Sequence, residues 1–279
     1  MKISLNPFKI YSDIENGSTY IKPFNIFIAL LIIIADILFV GILETQLLKI
    51  FKIFMPENKF IFNTILFSIQ MFVGIFSLNI IIFFLKVKSP DINYASNSFA
   101  LDFIYVIFLI LGFRFLYDGT IYQLKTLLSI DYRINSILLS CIYAPFIEEM
   151  MYRGIILNGL LKKYSTTIAI IISSLIFGLM HFSFLQSINA FFIGIIIGYI
   201  FIKTKSLYLC IFIHFFNNFI VMYSPVISFN SVILNVTYDI FNISIGILLI
   251  SLSLKKMDLK KRKKIYSNYD ENFNFFIKE

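Results

Sequence analysis

The sequence predicts an all-α polytopic membrane protein: a bundle of about eight transmembrane helices with both termini cytoplasmic. The first observation behind this is compositional. Of 279 residues, 59% are hydrophobic and 14% charged, and the mean hydropathy is +0.86. A soluble protein is about 45–50% apolar and about 25% charged. The second is a series of long apolar runs near the roughly 20 residues a membrane crossing needs. In lipid such runs satisfy their backbone groups only as helices. The third is the distribution of the 24 Lys and Arg residues. Eight spans put seventeen of them on the inner side and five on the outer, with Arg114 and Arg153 inside spans, as the positive-inside rule demands. This composition excludes a large extramembrane domain, a disordered or collagen-like chain and a disulfide-stapled secreted scaffold. The net charge of +8 reads as topology, so no nucleic-acid partner is expected. The Ile-, Phe-, Asn- and Lys-rich, Trp-free composition resembles that of a low-GC bacterium, which places the chain in a bacterial plasma membrane.

The elements follow in order. Residues 1–22 carry Lys2, Lys9, Asp13, Glu15 and Lys22. They are too long and too acidic for the start of a signal peptide and read as a cytoplasmic arm. The transmembrane bundle occupies 23–254, with spans at 24–48, 60–85, 99–117, 135–160, 166–184, 186–202, 207–224 and 230–253. Residues 255–279 form a basic cytoplasmic tail that reads as a stop-transfer anchor for the last span, with binding to anionic lipid as the less favoured alternative. No repeat or domain boundary is visible. Cys141 and Cys210 sit in apolar runs and form no CxxC pair, so they read as small buried hydrophobes. Gly194 and Gly198 form a small-residue packing face. Arg114 and Asp118 are spaced i, i+4 and should pair. Asp36, Asp102 and Asp239 are intramembrane carboxylates with no assigned role.

Ionisable groups inside a membrane are costly and mark function by default. The chain has two histidines, His181 and His214, and both fall in apolar spans. The fourth span carries Pro145, Glu148, Glu149 and Arg153. Neighbouring residues on a helix point about 100° apart, so Glu148 and Glu149 face different ways. Glu149 and Arg153 are i, i+4 and should form a structural pair, which leaves Glu148 for chemistry. Pro145 should kink the helix just before the carboxylates. Phe177 and His181 are i, i+4, as are His214 and Asn218, and Gly178 allows close helix contact. Asn217 faces about 100° from Asn218 and reads as packing or helix–helix glue. Rises of 1.5 Å per residue put Glu148 and His214 about 10 Å above the inner face but His181 about 22 Å from Thr166. The fifth span should therefore either start outside the core or be sunk and tilted, as one arm of a helical hairpin.

The set Glu148-Glu149-x-x-x-Arg153, Phe177-x-x-x-His181 and His214-x-x-x-Asn218 resembles the three motifs of the CPBP family. These are the CAAX-protease and bacteriocin-processing intramembrane proteases, also called the ABI family. The motif core spans about 135–225, a third of the chain. The resemblance implies that Glu148 and His181 activate a water and that His214 and Asn218 hold the oxyanion. The parts suit peptide hydrolysis, which needs a general base near the water and donors aimed at the developing charge. Two chemistries stay open: a metal-free glutamate mechanism, or a divalent metal such as Zn2+ held by Glu148, His181 and His214, with water as the fourth ligand.

The sequence thus reads as an intramembrane endopeptidase acting on a membrane-embedded or amphipathic peptide in the lipid bilayer. The family setting implies peptide maturation or bacteriocin immunity. The alternatives are a non-catalytic scaffold or self-immunity protein, and a transporter using the polar cluster as its substrate or proton site. No repeat of short broken spans supports the transporter.

Overall fold

The computed structural model describes residues 19–54, 59–88, 99–127, 137–181, 183–223, 227 and 229–256. The first eighteen residues, Arg133 and the tail from 257 lie outside the described residues, and so do the expectations placed on them. The described chain forms eight helical elements, as the apolar runs predict. They are α1 (Ile26–Phe54), α2 (Lys59–Leu85), α3 (Phe99–Leu127), α4 (138–160), α5 (Thr166–Leu179), α6 (Phe184–Thr204), α7 (Leu207–Tyr223) and α8 (Val232–Lys256). Five of them, α1, α2, α3, α6 and α8, are long and apolar enough to cross a bilayer. Phe27, Leu31, Leu38, Phe39 and Ile42 of α1 are exposed, the outward apolar surface that lipid requires and water would not tolerate. The chain is a multi-pass integral membrane protein.

Three expectations are refined. First, α5 has 14 residues and α7 has 17. At 1.5 Å per residue α5 reaches only about 21 Å, short of a hydrocarbon core of roughly 30 Å. The fifth run stops at Leu179 rather than at 184, because α6 starts at Phe184 and the two helices meet closely at the turn. A Cβ on Gly178 would lie 2.8 Å from the Ser187 carbonyl oxygen. Second, the fourth run is not one regular helix. It alternates π-helix (Leu138–Tyr143), α-helix (Ala144–Glu149), π-helix (Met150–Leu157) and a last α-turn (Asn158–Leu160). Third, the arm does not stay polar and separate up to residue 22. Thr19–Ile21 (β1) pairs antiparallel with Lys86–Lys88 (β2), Ile21 opposite Lys86. Ile21 is fully buried, and its backbone oxygen crosses Gly159 so closely that no Cβ fits there.

The described chain clusters into two compact units, a division that no composition shift announced. One holds β1, β2, α1, α2 and α4–α7. Its core includes Leu66, Leu78, Ile81, Ile155, Ile156, Ile193 and Ile197. Asp36 of α1 lies near Ser77 of α2, and its Oδ1 is buried without a hydrogen-bond partner. Gly194 and Gly198 face α5, where added Cβ atoms would meet Ser174 Cβ at 3.1 Å and Ile170 Cγ2 at 3.2 Å. Cys141 and Cys210 are buried and unbonded to each other.

The other unit is the pair α3 and α8. Their backbones touch through glycines: a Cβ on Gly246 would lie 2.7 Å from the Leu116 nitrogen, and one on Gly112 would lie 2.9 Å from the Gly246 oxygen. Without a hydrophobic drive between helices in lipid, such close approach supplies the packing attraction. The expected pair is formed, with Arg114 donating to Asp118 at 2.7 Å.

Candidate active site

The site lies within the first unit, where α4, α5, α6 and α7 meet. Its centre is Glu149, with a fractional exposure of 0%. One carboxylate oxygen, Oε1, accepts from the Arg153 guanidinium at 3.0 Å and from His214 Nδ1 at 2.7 Å. Arg153, 1% exposed, also donates to the Gly194 carbonyl of α6 at 3.3 Å. The i, i+4 pair expected on α4 is therefore present, and it is also the knot that ties α4 to α6 and α7. A buried charge persists only when paired and hydrogen-bonded, and Glu149 and Arg153 meet that condition through each other.

Glu148 has the opposite environment. Its side chain is 30% exposed and its Oε2 lies 3.8 Å from His214 Nε2, beyond hydrogen-bond range. That oxygen is buried and has no hydrogen-bond partner. The two adjacent carboxylates thus divide as their 100° offset implies: Glu149 is closed off, with Oε1 held by two donors and Oε2 buried without a partner, and Glu148 is part-open. The His214 ring stands between them, with Glu149 on Nδ1 and Glu148 toward Nε2.

The histidine tautomers follow from the acceptors. His181 Nδ1 lies 2.9 Å from the Phe177 carbonyl. A carbonyl only accepts, so Nδ1 carries the proton and Nε2 presents a lone pair. His214 Nδ1 likewise donates to a carboxylate. Phe177 of α5 holds both rings edge-on, at 4.9 Å from His181 and 5.6 Å from His214 between centroids. Its face lies 4.6 Å from the Arg153 Cζ, and Tyr152 packs on it at 5.0 Å. Phe177 thus spaces the whole cluster. Its contact with His214, midway along α7, also sets the turn after α5 level with the middle of α7, which resolves the depth mismatch of His181.

Asn218 is placed by Pro145. In the π-turn before it, the Ala144 N–H reaches back to the Leu139 carbonyl. The next carbonyl, that of Ser140, would take the N–H of residue 145, which proline lacks. Asn218 Nδ2 donates to it instead, at 2.8 Å. A buried carbonyl has to find a donor, so the missing proline proton orients an amide on another helix. The expected kink is realised as this change from π- to α-helix. Asn217 is more than packing: its Nδ2 donates to Asn218 Oδ1 at 3.2 Å, and it is itself buried. That leaves one Asn218 N–H for a ligand.

Among the described residues, no three His, Cys, Asp or Glu side chains form a group that could hold a metal ion. As placed, Glu148, His181 and His214 do not form a zinc centre.

The structure brings Glu148, Glu149, Arg153, His214 and Asn218 together around α4 and α7, with His181 joined to them through Phe177. Sequence reasoning missed the Glu149–His214 bond, the Asn217–Asn218 bond and the use of the Ser140 carbonyl. The first joins residues far apart in the chain and had no local signal. The last was readable in part from Pro145, which frees a carbonyl.

Residues 132–220 match the family described as Type II CAAX prenyl endopeptidase Rce1-like. A stretch of 87 residues is 32% identical to "Putative membrane peptidase YdiL" of Bacillus subtilis (strain 168), covering 31% of this chain and 36% of that protein. The match thus spans about a third of that relative's length. No solved structure matches. Both matched segments are similar to membrane peptidases, and the family match contains every site residue named above.

Proposed function

From the match of residues 132–220 to the Type II CAAX prenyl endopeptidase Rce1-like family, we propose that this chain is an intramembrane protease of the CPBP type that hydrolyses a peptide bond of a membrane-embedded or amphipathic peptide, with Glu148 as the base. The observation that carries the reading is the contrast between the two carboxylates. Glu149 has no exposure and gives its Oε1 to Arg153 and His214, while the Glu148 side chain is 30% exposed and its Oε2 stands 3.8 Å from His214 Nε2, outside hydrogen-bond range.

In this reading a water sits between Glu148 and the free Nε2 of His181. Glu148 takes a proton as the water oxygen bonds to the peptide carbonyl carbon. The carbonyl π pair moves onto oxygen, where the free Asn218 N–H and His214 meet it. His214 already gives its Nδ1 proton to Glu149, so it donates from Nε2 only when doubly protonated. The buried Glu149 carboxylate supplies the countercharge for that form, and with it the groups Glu148, Glu149, Arg153 and His214 sum to zero. Collapse of the tetrahedral species breaks the C–N bond, and the proton held by Glu148 passes to the leaving nitrogen. Donors fixed before the reaction are the ones that lower its barrier, and the Asn217–Asn218–Ser140 chain supplies that fixity.

The test compares peptides and membrane-protein N-termini by mass spectrometry in cells carrying the wild type or Glu148→Gln at matched expression. Defined fragments present only with the wild type support a protease and identify its substrate. Identical profiles beside a deletion phenotype refute catalysis as the role and favour a scaffold or immunity protein.

A further inference from the structure

Asp36 is an intramembrane carboxylate that the cluster on α4, α5 and α7 does not use. Such a group costs free energy in a bilayer and marks function by default. We propose that Asp36, with Ser77 and Tyr143 beside it, binds the ammonium or guanidinium group of a Lys or Arg side chain on the peptide substrate, at the depth where Glu148 acts. This subsite rests on the reading of the chain as a membrane peptidase.

Two helix registers place it. α1 packs against α2, and only four residues join them, so the two run antiparallel. Asp36 stands 18 residues before the end of α1 at Phe54, and Ser77 stands 18 residues after the start of α2 at Lys59. The two are therefore level across the hairpin, and Ser77 lies beside the Asp36 carboxylate. At the inner end, Lys86 follows α2 and pairs with Ile21, whose oxygen crosses Gly159 of α4. Ser77 is 9 residues before Lys86 and Glu148 is 11 before Gly159, rises of about 14 and 17 Å. Asp36, Ser77 and Glu148 thus share one depth to within about 3 Å. Direct contacts agree. A Cβ on Gly74 would lie 3.0 Å from the Tyr143 hydroxyl and 3.2 Å from Ile147 Cγ1. Gly74 and Ser77 are i, i+3 and share a side of α2, and Ile147 directly precedes Glu148. The Tyr143 phenol lies within electrostatic range of both Asp36 and Glu148.

The charge balance names the ligand. A serine hydroxyl has a single proton to give, and Asp36 Oδ1 is buried without a hydrogen-bond partner. Among the described residues no Lys, Arg or His pairs with Asp36. A contact to Ser77 alone would need only a neutral amide at this position, whereas a carboxylate brings a charge that asks for a cation. The rest of α1 turns Phe27, Leu31, Leu38 and Phe39 to lipid, while the Asp36 side chain is part-exposed. A basic side chain on a peptide in the bilayer lays its stem along apolar surface and carries its head to a polar group. Asp36 provides that group, with the Ser77 and Tyr143 oxygens as further acceptors. The substrate then carries its basic residue close to the cleaved bond.

The experiment measures the binding of two fluorescent probe peptides to the full-length chain in phosphatidylcholine nanodiscs. Each is a Leu/Ala helix of about 20 residues, with a central Lys in one and a central Gln in the other. Glu148→Gln is the host, so that no probe is consumed. The host should bind the Lys probe about tenfold more tightly than the Gln probe. This comparison needs no change at Asp36. Adding Asp36→Asn, which keeps the shape beside Ser77, should cut the preference to under about twofold, and Asp36→Glu should retain it. A merely structural Asp36 would leave the preference unmoved. Equal binding of the two probes by the host, or a Lys preference that survives Asp36→Asn, would overturn the proposal. Incubating the wild type with the probes separates the subsite from the chemistry. A Lys preference without cleavage upholds the subsite and counts against hydrolysis. Cleavage without a Lys preference overturns the subsite and leaves hydrolysis standing.

Discussion

Replacing Glu149 with Gln keeps the shape of the side chain and removes its charge. The consequence follows from two contacts and their burial. The carboxylate lies 3.0 Å from the Arg153 guanidinium and 2.7 Å from His214 Nδ1, with no exposure to solvent. The glutamine oxygen can still accept from His214, so most of that bond survives. A hydrogen bond between membrane helices contributes only about 0.6 kcal/mol on average. The charge term is the larger one: unit charges about 4 Å apart interact by about 4 kcal/mol at an effective dielectric near 20. Leaving one buried partner alone costs about 3–5 kcal/mol. Glu149→Gln should therefore destabilise the protein by about 3–5 kcal/mol, mainly because Arg153 stays buried and charged. Arg153→Met should cost a similar amount. The double variant should cost less than the sum of the two by about 2–3 kcal/mol, within the range of residues in direct contact. Equilibrium unfolding of the four proteins in one detergent measures this. Additive effects, or a Glu149→Gln cost under about 1 kcal/mol, would refute the claim that this pair ties α4 to its neighbours.

Three further outcomes are expected. Pro145→Ala restores an N–H that competes for the Ser140 carbonyl; stability should hold or rise while turnover falls about tenfold, a fraction of the roughly 10²–10³ expected for losing an oxyanion donor outright through Asn218→Ala, as steady-state cleavage of an identified substrate would show. Gly159→Ala forces the Ile21 backbone away; it should cost about 1–3 kcal/mol as an overpacked contact, and hydrogen exchange at residues 19–22 should rise. Lys205 binds its proton less tightly in the fold, at about 8, than the 10.5 of a free lysine. The unfolded chain therefore holds more protons between those values, so stability in lipid-free detergent should climb over that pH window. Lys205→Gly should flatten the climb, as midpoints measured across the window would show.

Much of this arrangement was legible in the chain. Hydropathy located all eight helices because lipid leaves the backbone no other choice, and i, i+4 spacing correctly paired Glu149 with Arg153 and Arg114 with Asp118. The unread parts depend on contacts distant in sequence. Leu179 and its successors stay apolar past the end of α5, so hydropathy cannot mark where the hairpin turns. The π-turns at 138–143 and 150–157 carry no period of their own. Asn217 was assigned to packing on a regular-helix argument, yet two neighbouring amides are long enough to bond across the offset. Thr19–Ile21 is too short to show a strand pattern, and Gly159 carries its meaning only through the backbone that crosses it. The pairing of α3 with α8 rests on glycine contacts between segments far apart in the chain, which hydropathy does not register.

The most direct test of the central claim uses a fragment identified in cells as substrate, incubated with purified protein in water enriched in oxygen-18. The account predicts that wild type releases a fragment whose new carboxylate carries one labelled oxygen, and that Glu148→Gln, folded and with an unchanged unfolding midpoint, releases none. Cleavage by Glu148→Gln at the wild-type rate, or a new carboxylate without label, would contradict it.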